Sequence, residues 1–301
     1  MDFEIDTSTA FILGNGPSLR TIPLERLTSV ASFGMNAAYR HWKRIDWRPT
    51  HYACLDEVLG LSHKEAIADL IEEGRIEKFL LRQNLVAALG SIGANPKVVN
   101  FDKVRPCTPL LQTPSVTTGS SAACWAASLG FEKLIIAGVD LNYVEIVDGA
   151  KRLPGVALEI DEATHNPNYF FDDYQQPGDR YNIPNTRPDL HLNAWREVAW
   201  YLSQARCEAV NASLHSRVEC FAYIDPESLF SERARTSPAK ETLREYTVSA
   251  LAKRLYHSEA DAAQLSNELA ELRSDLMRRD QTWVGKLKRL LTKMTSRSTS
   301  P

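Results

Sequence analysis

The stretch of sequence that decides the fold is Phe11-Ile12-Leu13-Gly14-Asn15-Gly16-Pro17-Ser18-Leu19. The apolar run that ends at Leu13 is typical of a buried strand, and a helix is predicted to start after Pro17. A strand, a glycine turn and a helix start place backbone N–H groups and a helix N-terminus at the carboxyl edge of a sheet. Such an edge favours an anion such as a phosphate. The alternative is a tight turn that binds nothing.

This glycine motif differs from two known phosphate-binding loops. Leu19 stands where G-x-G-x-x-G has its third glycine, and no Gly-Lys-Ser/Thr follows as in a Walker A loop. The motif therefore predicts a general anion site and no particular nucleotide.

Composition narrows the class of protein. The chain has 301 residues, of which 44% are hydrophobic and 24% charged, with a net charge of −3. These values are typical of a globular protein and argue against nucleic acid as the main partner. The five cysteines show no C-x-x-C spacing, which indicates reduced thiols and neither a disulfide framework nor a zinc site. With no signal-peptide pattern and no apolar window of about 18 residues, we expect a cytoplasmic protein, soluble or peripheral to the inner face of the cell membrane.

Several predicted strands end on polar side chains. Strands are predicted at 28–33, 51–55, 78–81, 97–100, 133–138 and 208–211. The polar residues at or just after strand ends are Asn15, Asn36, Asp56, Asp140 and Asn211. Open α/β sheets bind ligands at the carboxyl ends of their strands, so these positions predict a site, although Asn and Asp also favour turns for local reasons.

Two further segments carry candidate chemistry. Thr117, Thr118, Gly119 and Ser120 open a small-residue helix at 122–129, which is either a second anion site or an ordinary N-cap.

Residues 144–190 have weak periodicity but many aromatic side chains, which favours a lid that closes over a ligand. His165 and His191 lie in or beside this lid and are candidate general bases, although a lone histidine is often only a hydrogen-bonded loop residue. No D-x-D motif suggests a metal, so we expect no metal and no cofactor.

The C-terminal part differs from the rest. Residues 231–240 are typical of a linker, and a heptad-like stripe of mostly leucine side chains runs from Leu251 to Met294 in the segment that follows. Unbalanced cations beyond Gln281 predict a basic amphipathic, coiled-coil-like helix. This helix would form a homo-oligomer, contact an anionic membrane surface, or do both.

The motifs together resemble a known group of proteins. Gly14 to Leu19 is similar to the opening motif of the bacterial sialyltransferases of glycosyltransferase family 42. It is also similar to the motility accessory factors that glycosylate flagellin and to the MptE-like pterin pyrophosphokinases. The likeness continues at Asn36, at Asp56 (where the sialyltransferases carry Asn), and in the blocks Thr117-Thr118-Gly119, Gly138-Val139-Asp140 and Val210-Asn211-Ala212-Ser213. It spans about residues 10–225.

The resemblance implies a fold and a set of roles. It implies an α/β, Rossmann-like and mostly parallel sheet flanked by helices over residues 1–230, followed by a linker and helical extension over 231–301. It implies a nucleotide-sugar donor, most simply a CMP-sugar, and a glycan or lipid-linked acceptor of a surface polysaccharide. Donor-binding positions would be Gly14, Asn15, Gly16, Pro17, Ser18, Asn36, Asp56, Thr117, Thr118, Gly119, Ser120, Asp140, Tyr143, Asn211 and Ser213. Catalytic positions would be the lid residues Tyr169 and Tyr174 and a base, His165 or His191.

Two other functions stay open from the sequence. A pyrophosphokinase of the pterin type would bind ATP with magnesium, and a scaffold would bind a nucleotide without catalysis. The leading expectation is a metal-independent glycosyltransferase with a histidine base.

Overall fold

The computed structural model describes residues 5–144, 146–162, 165–183 and 189–230. Its strands are β1 (Thr9–Leu13), β2 (Ala31–Met35), β3 (His51–Cys54), β4 (Lys78–Leu81), β5 (Val98–Asn100), β6 (Lys133–Ala137), β7 (Ala150–Arg152), β8 (Ala157–Ile160), β9 (Arg180–Asn182), β10 (Glu208–Asn211) and β11 (Ala222–Tyr223). Its α-helices are α1 (Tyr39–Arg44), α2 (Glu57–Ser62), α3 (Lys64–Glu73), α4 (Gln83–Ala88), α5 (Phe101–Val104), α6 (Thr118–Ser128), α7 (Leu190–Gln204) and α8 (Pro226–Leu229).

The main sheet is parallel and has its topological switch at β1. The strand order is β11-β10-β6-β1-β2-β3-β4-β5, and each of its pairings is parallel. The chain runs outward from β1 to β5 and then returns to the other side of β1 with β6. The direction in which the chain builds the sheet therefore reverses between β1 and β6, and open parallel sheets bind ligands at the carboxyl ends of the strands near such a point. The predicted α/β fold is confirmed.

Strand β1 is buried on both faces, which explains its uninterrupted apolar run. All five of its residues are buried. Phe11 and Leu13 belong to one core layer with Trp42 of α1, whereas Ile12 belongs to the opposite layer with Trp125 of α6. Alternate side chains of a strand point to opposite faces, so helices on both sides of the sheet bury the strand completely. Each fully buried side chain of this size contributes about 1.5–3 kcal/mol of transfer free energy.

The predicted lid contains a second sheet, which the sequence did not predict. Strands β7, β8 and β9 pair in antiparallel fashion around a small core that includes Leu158, Ile160 and Tyr181. These strands have only three or four residues each, so their alternation is too short to distinguish them from a loop.

The predicted C-terminal linker and coiled-coil-like helix, residues 231–301, lie outside the described residues. Within the described ranges, no helix combines the length and the hydropathy that crossing a bilayer requires.

Candidate active site

The loops after β1 and β6 interlock, and this contact explains the two glycines of the opening motif. Gly14 N donates to Ala137 O at 2.7 Å, and Gly16 N donates to Gly138 O at 2.8 Å. A Cβ atom on Gly14 would lie 2.2 Å from Gly138 O, and one on Gly16 would lie 2.1 Å from Asp140 Oδ2. Both positions therefore exclude a side chain, because the neighbouring loop approaches too closely.

The same contacts change the expected role of the motif. Ser18 N donates to Asp140 Oδ2 at 3.0 Å, so the N–H groups of Gly14, Gly16 and Ser18 are all used inside the protein. The helix predicted after the glycine turn is a five-residue 3₁₀ helix, Pro17–Thr21. The loop therefore does not present these three N–H groups to an anion, and the polar side chain it places in the cavity is that of Asn15.

A cavity of about 540 Å³ lies at the carboxyl ends of the strands. It brings together most of the residues predicted from the sequence: Gly14, Asn15, Gly16, Pro17, Asn36, Asp56, Thr117, Thr118, Gly119, Asp140, Tyr143, Tyr169, Tyr174 and His191. The predicted residues that do not line it are Ser18, Ser120, His165, Asn211 and Ser213.

Two asparagines in this cavity have unpaired acceptors. Asn15 Nδ2 donates to Tyr174 Oη at 2.9 Å and, less closely, to Met35 O at 3.4 Å. Asn15 Oδ1 and Asn36 Oδ1 are both buried and have no hydrogen-bond partner. An unpaired buried acceptor costs about 1–3 kcal/mol, so a ligand that donates hydrogen bonds at these points would recover that free energy. Hydroxyl groups of a ribose or a sugar have the required chemistry.

The hydroxyl of Tyr174 is held as a donor. Its oxygen accepts from Asn15 Nδ2 at 2.9 Å and from Ala37 N at 3.3 Å. Burial raises the pKa of Tyr174 well above its ordinary value, so the phenol keeps its proton at neutral pH. The Tyr169 ring stacks on that of Tyr174, with centroids 3.7 Å apart. Both accepting positions are in use, which leaves the hydroxyl proton for an anionic oxygen of a ligand.

The N-terminus of α6 provides a place for an anion. Thr117 caps the helix, because its Oγ1 accepts from Ser120 N at 3.4 Å, and Thr118 Oγ1 accepts from Leu55 N at 3.1 Å. The N–H groups of Thr118 and Gly119 precede the first intrahelical bond, which Ser121 N makes to Thr117 O at 3.0 Å. Since Thr117, Thr118 and Gly119 line the cavity, the positive end of an 11-residue helix meets the ligand space.

Asp56 is a helix cap with a raised pKa. Its Oδ1 accepts from Val58 N and Leu59 N, both at 2.9 Å, and from Asn182 Nδ2 at 3.0 Å. Burial raises the pKa of this carboxyl, and the hydrogen bonds to it oppose the rise only in part. Asp56 is therefore harder to ionise in the folded protein than in the unfolded chain.

This pKa makes the stability of an Asp56→Asn variant depend on pH in a defined direction. A carboxyl whose pKa is raised on folding stabilises the fold fully below its unfolded pKa of about 3.9 and less as pH rises through the folded value. Asn caps helices as well as Asp does and does not ionise. We expect the Tm of the variant, relative to the native chain, to increase between about pH 4 and pH 7. Thermal unfolding of both proteins across that pH range measures this difference in Tm. A difference in Tm that does not change with pH would show that burial does not raise the pKa of Asp56.

The two candidate bases occupy different places. His191 lies in the first turn of α7 and lines the cavity, with its ring centroid 5.5 Å from that of Tyr143. His165 is exposed, and its Nδ1 lies 3.0 Å from Asp172 Oδ1. Position therefore favours His191 as the histidine that can reach a ligand.

Asn211 and Ser213 do not line the cavity but bond to loops next to it. Asn211 Nδ2 donates to Val218 O at 3.0 Å, and Ser213 Oγ accepts from Val139 N at 3.1 Å. Both side chains are buried. Ser213 holds the loop after β6 at Val139, and Asn211 holds the loop after β10 at Val218. Their contacts are with the protein and not with the cavity.

Sequence reasoning missed several lining residues, among them Arg82, Asn168, Tyr181, Asn182 and Trp195. Arg82 directly follows β4, so the search for polar residues just after predicted strands, which we call the strand-end rule, would have found it. Its guanidinium pairs with Glu57 at 2.6 Å and with Asp102 at 3.1 Å. The described residues contain no group of three or more His, Cys, Asp or Glu side chains placed to hold a metal ion.

Comparisons with known proteins give structural likeness alone. No protein-family model and no curated protein matches the sequence. The fold is similar to sialyltransferase CstII from Campylobacter jejuni, in complex with the substrate analogue CMP-3FNeuAc, at 15% identity over 74% of this chain and 88% of that one, with a TM-score of 0.45.

Two further solved structures are similar. Monofunctional alpha-2,3-sialyltransferase Cst-I from Campylobacter jejuni shares 11% identity over 83% of this chain and 95% of that one, with a TM-score of 0.44. The MAf glycosyltransferase from Magnetospirillum magneticum AMB-1 shares 16% over 82% of this chain and 37% of that one, with a TM-score of 0.47. They are of the kinds that the sequence motifs resemble. Such low identity concerns the fold, so the function has to follow from the site itself.

Proposed function

We propose that the protein is a glycosyltransferase whose donor is a nucleotide-activated sugar, most simply a CMP-sugar. The observation that carries this proposal is the pair of buried, unpaired oxygens, Asn15 Oδ1 and Asn36 Oδ1, in one cavity with the N-terminus of α6. A ligand that satisfies all three must carry both hydrogen-bond donors, such as hydroxyl groups, and an anionic group. A nucleotide sugar has both, whereas inorganic phosphate lacks the polyhydroxylated part.

The chemistry of the cavity supports the following arrangement of the donor. Its phosphate lies at the first turn of α6, beside Thr118 and Gly119, and its hydroxyls donate to Asn15 and Asn36. As the bond between the anomeric carbon and the phosphate oxygen breaks, the bonding electrons leave with the CMP phosphate. The Tyr174 hydroxyl and the helix N-terminus stabilise that charge, as preorganised donors do in a site closed to water. The chemistry requires no metal for this step.

The acceptor completes the reaction. An acceptor hydroxyl of a glycan or lipid-linked sugar forms the new bond to the anomeric carbon, and its proton passes to His191. Histidine side chains often serve as general bases, because their ordinary pKa of about 6.5 leaves a large neutral fraction at pH 7. Tyr143 lies beside the His191 ring and bounds the acceptor side of the cavity.

A thermal-shift comparison of nucleotides tests the proposal. We expect CMP at about 100 times its Kd to stabilise the protein by about 2.7 kcal/mol and to raise its Tm by several degrees. AMP serves as the control for unspecific binding. If ATP with Mg²⁺ raises the Tm and CMP, CDP and UDP-sugars do not, the chain is better described as a pyrophosphokinase. If none of these nucleotides raises the Tm, the proposed function is wrong.

A further inference from the structure

Arg40 is a cation of α1 that lies outside the cavity but contacts the segment carrying Tyr174. Its Nη1 donates to Tyr174 O at 2.7 Å. Its two terminal nitrogens also pair with both carboxylate oxygens of Asp179, and the Nη2–Oδ1 distance is 2.9 Å. The side chains of Arg40 and Asp179 are 15% and 13% exposed, so this is a largely buried, bidentate pair.

Asp179 closes a turn around the guanidinium. Its Oδ2 also accepts from Gln176 N at 2.7 Å, so the backbone between Tyr174 and Asp179 curls around Arg40. His63 Nε2 lies 3.6 Å from Asp179 Oδ1. Burial lowers the pKa of His63 to about 4, so His63 is neutral at pH 7 and the charge of Asp179 is balanced by Arg40.

Tyr174 joins this buried pair to the cavity. Its carbonyl oxygen accepts from Arg40, and its hydroxyl oxygen accepts from Asn15 Nδ2 and from Ala37 N. A hydrogen bond of 2.9 Å is lost when its atoms move apart by less than 1 Å, so a small shift of the Tyr174 backbone would separate its hydroxyl from Asn15. Such small misplacements in active sites reduce catalysis strongly.

We propose that Arg40 is the positioning residue for Tyr174 and, through Tyr174, for the side-chain amide of Asn15. It acts by holding the Tyr174 carbonyl and the turn to Asp179, without touching the ligand. The effect on ligand binding rests on the proposed function, since Asn15 contacts the donor there. The effect on Tyr174 itself does not.

A second ion pair joins the same helix to the same segment and provides a matched control. Arg44 pairs with Asp173, and their side chains are 50% and 55% exposed. This pair contacts neither the carbonyl nor the hydroxyl of Tyr174. If any ion pair between α1 and the lid sufficed, the loss of either pair would have the same effect.

The experiment removes each pair as a unit, because removing one partner alone would strand a buried charge. For Arg40→Met/Asp179→Asn we expect the Kd of CMP to rise about tenfold, the value of one hydrogen bond of about 1.4 kcal/mol. For Arg44→Met/Asp173→Asn we expect no change beyond about twofold, as for exposed ion pairs. Equal effects of the two double variants on CMP binding would overturn the proposal.

A Tyr174→Phe background separates positioning from general loss of structure. The variant lacks the hydroxyl, so removing the Arg40–Asp179 pair in this background should not weaken CMP binding further. A residue that acts through another shows such non-additivity, whereas independent effects add. Additive losses would contradict a positioning role.

The amide proton of Ala37 reports on Tyr174 without any ligand. Ala37 N donates to Tyr174 Oη, so hydrogen exchange at Ala37 should become at least about tenfold faster in Arg40→Met/Asp179→Asn and in Tyr174→Phe. It should be unchanged in Arg44→Met/Asp173→Asn. If CMP fails to bind the native chain, the proposed function is wrong and this measurement still decides the role of Arg40. Unchanged exchange in the Arg40 variant would overturn it.

Discussion

Replacing His191 by alanine is expected to lower kcat for glycosyl transfer by about 10²–10⁴-fold, the usual contribution of a general base. His191 lines the cavity beside Tyr143, where it can reach an acceptor hydroxyl. Its loss should change the Kd of CMP by less than about threefold, because a base that acts on the acceptor contributes to the transition state and little to donor binding. Steady-state kinetics with a CMP-sugar and calorimetric titration with CMP measure the two quantities.

His165→Ala is the matched control for this prediction. His165 and its partner Asp172 are 68% and 75% exposed and lie away from the cavity, so kcat should stay within about twofold of the native value. The pH profile provides a second check, because the acidic limb of kcat/KM should disappear in His191→Ala alone. If His165→Ala abolishes transfer and His191→Ala does not, the assignment of the base is wrong. If neither variant loses activity, neither histidine is the base, and the proposed mechanism is wrong.

Much of the sheet could be predicted because its signals are local. Strands β4 and β10 have the predicted bounds, and β3 and β6 differ from theirs by one residue. A strand buried on both faces is apolar throughout and ends where its backbone leaves the core, so both the run and its polar end are visible in the sequence. The strand-end rule consequently located Asn36 and Asp56 in the cavity, and it would have found Arg82.

The chemistry of the opening motif could not be predicted in the same way. The N–H of Ser18 bonds to Asp140, which is 122 positions away in the sequence, and Gly16 N bonds to Gly138. Whether a glycine loop offers its N–H groups to a phosphate depends on what packs against it, and here the loop after β6 occupies them. The position of the site was predictable from local sequence. The partners of the backbone N–H groups were not, because they depend on contacts with a segment that is distant in the sequence.

The position of the predicted lid relative to the cavity could likewise not be predicted from local sequence. His165 and His191 look alike in the sequence, whereas in the structure His191 lines the cavity and His165 is exposed. Isolated polar contacts hold the segment predicted as a lid. Asn168 Oδ1 accepts from Val144 N at 2.7 Å, and Phe170 N donates to Asn15 O at 3.0 Å. Such isolated hydrogen bonds follow no periodic pattern, so the sequence does not predict them. The same holds for Arg40, whose importance depends on the turn that closes around it.

Replacing Asn36 by glycine is expected to stabilise the unligated protein and at the same time weaken donor binding. Asn36 has φ of +54°, a left-handed conformation that glycine adopts without strain, and its buried Oδ1 has no partner. Glycine removes both the backbone strain and the unpaired oxygen, each of which costs about 1–3 kcal/mol of stability. This gain exceeds the about 0.5–1 kcal/mol that is lost because glycine has more conformational freedom in the unfolded chain. We expect the Tm to rise by a few degrees and the Kd of CMP to rise about tenfold.

His215→Gly separates these two effects. His215 also has a left-handed backbone, with φ of +63°, but it is exposed and outside the cavity. Glycine there should relieve backbone strain and leave the Kd of CMP unchanged. Truncating a residue that stabilises the fold lowers the stability of the protein. Truncating a residue that serves ligand binding raises the stability of the unligated protein, because its strain and its unpaired polar atom are compensated only when the ligand binds. A fall in the Tm of Asn36→Gly would make Asn36 structural, and an unchanged Kd would remove it from the donor site.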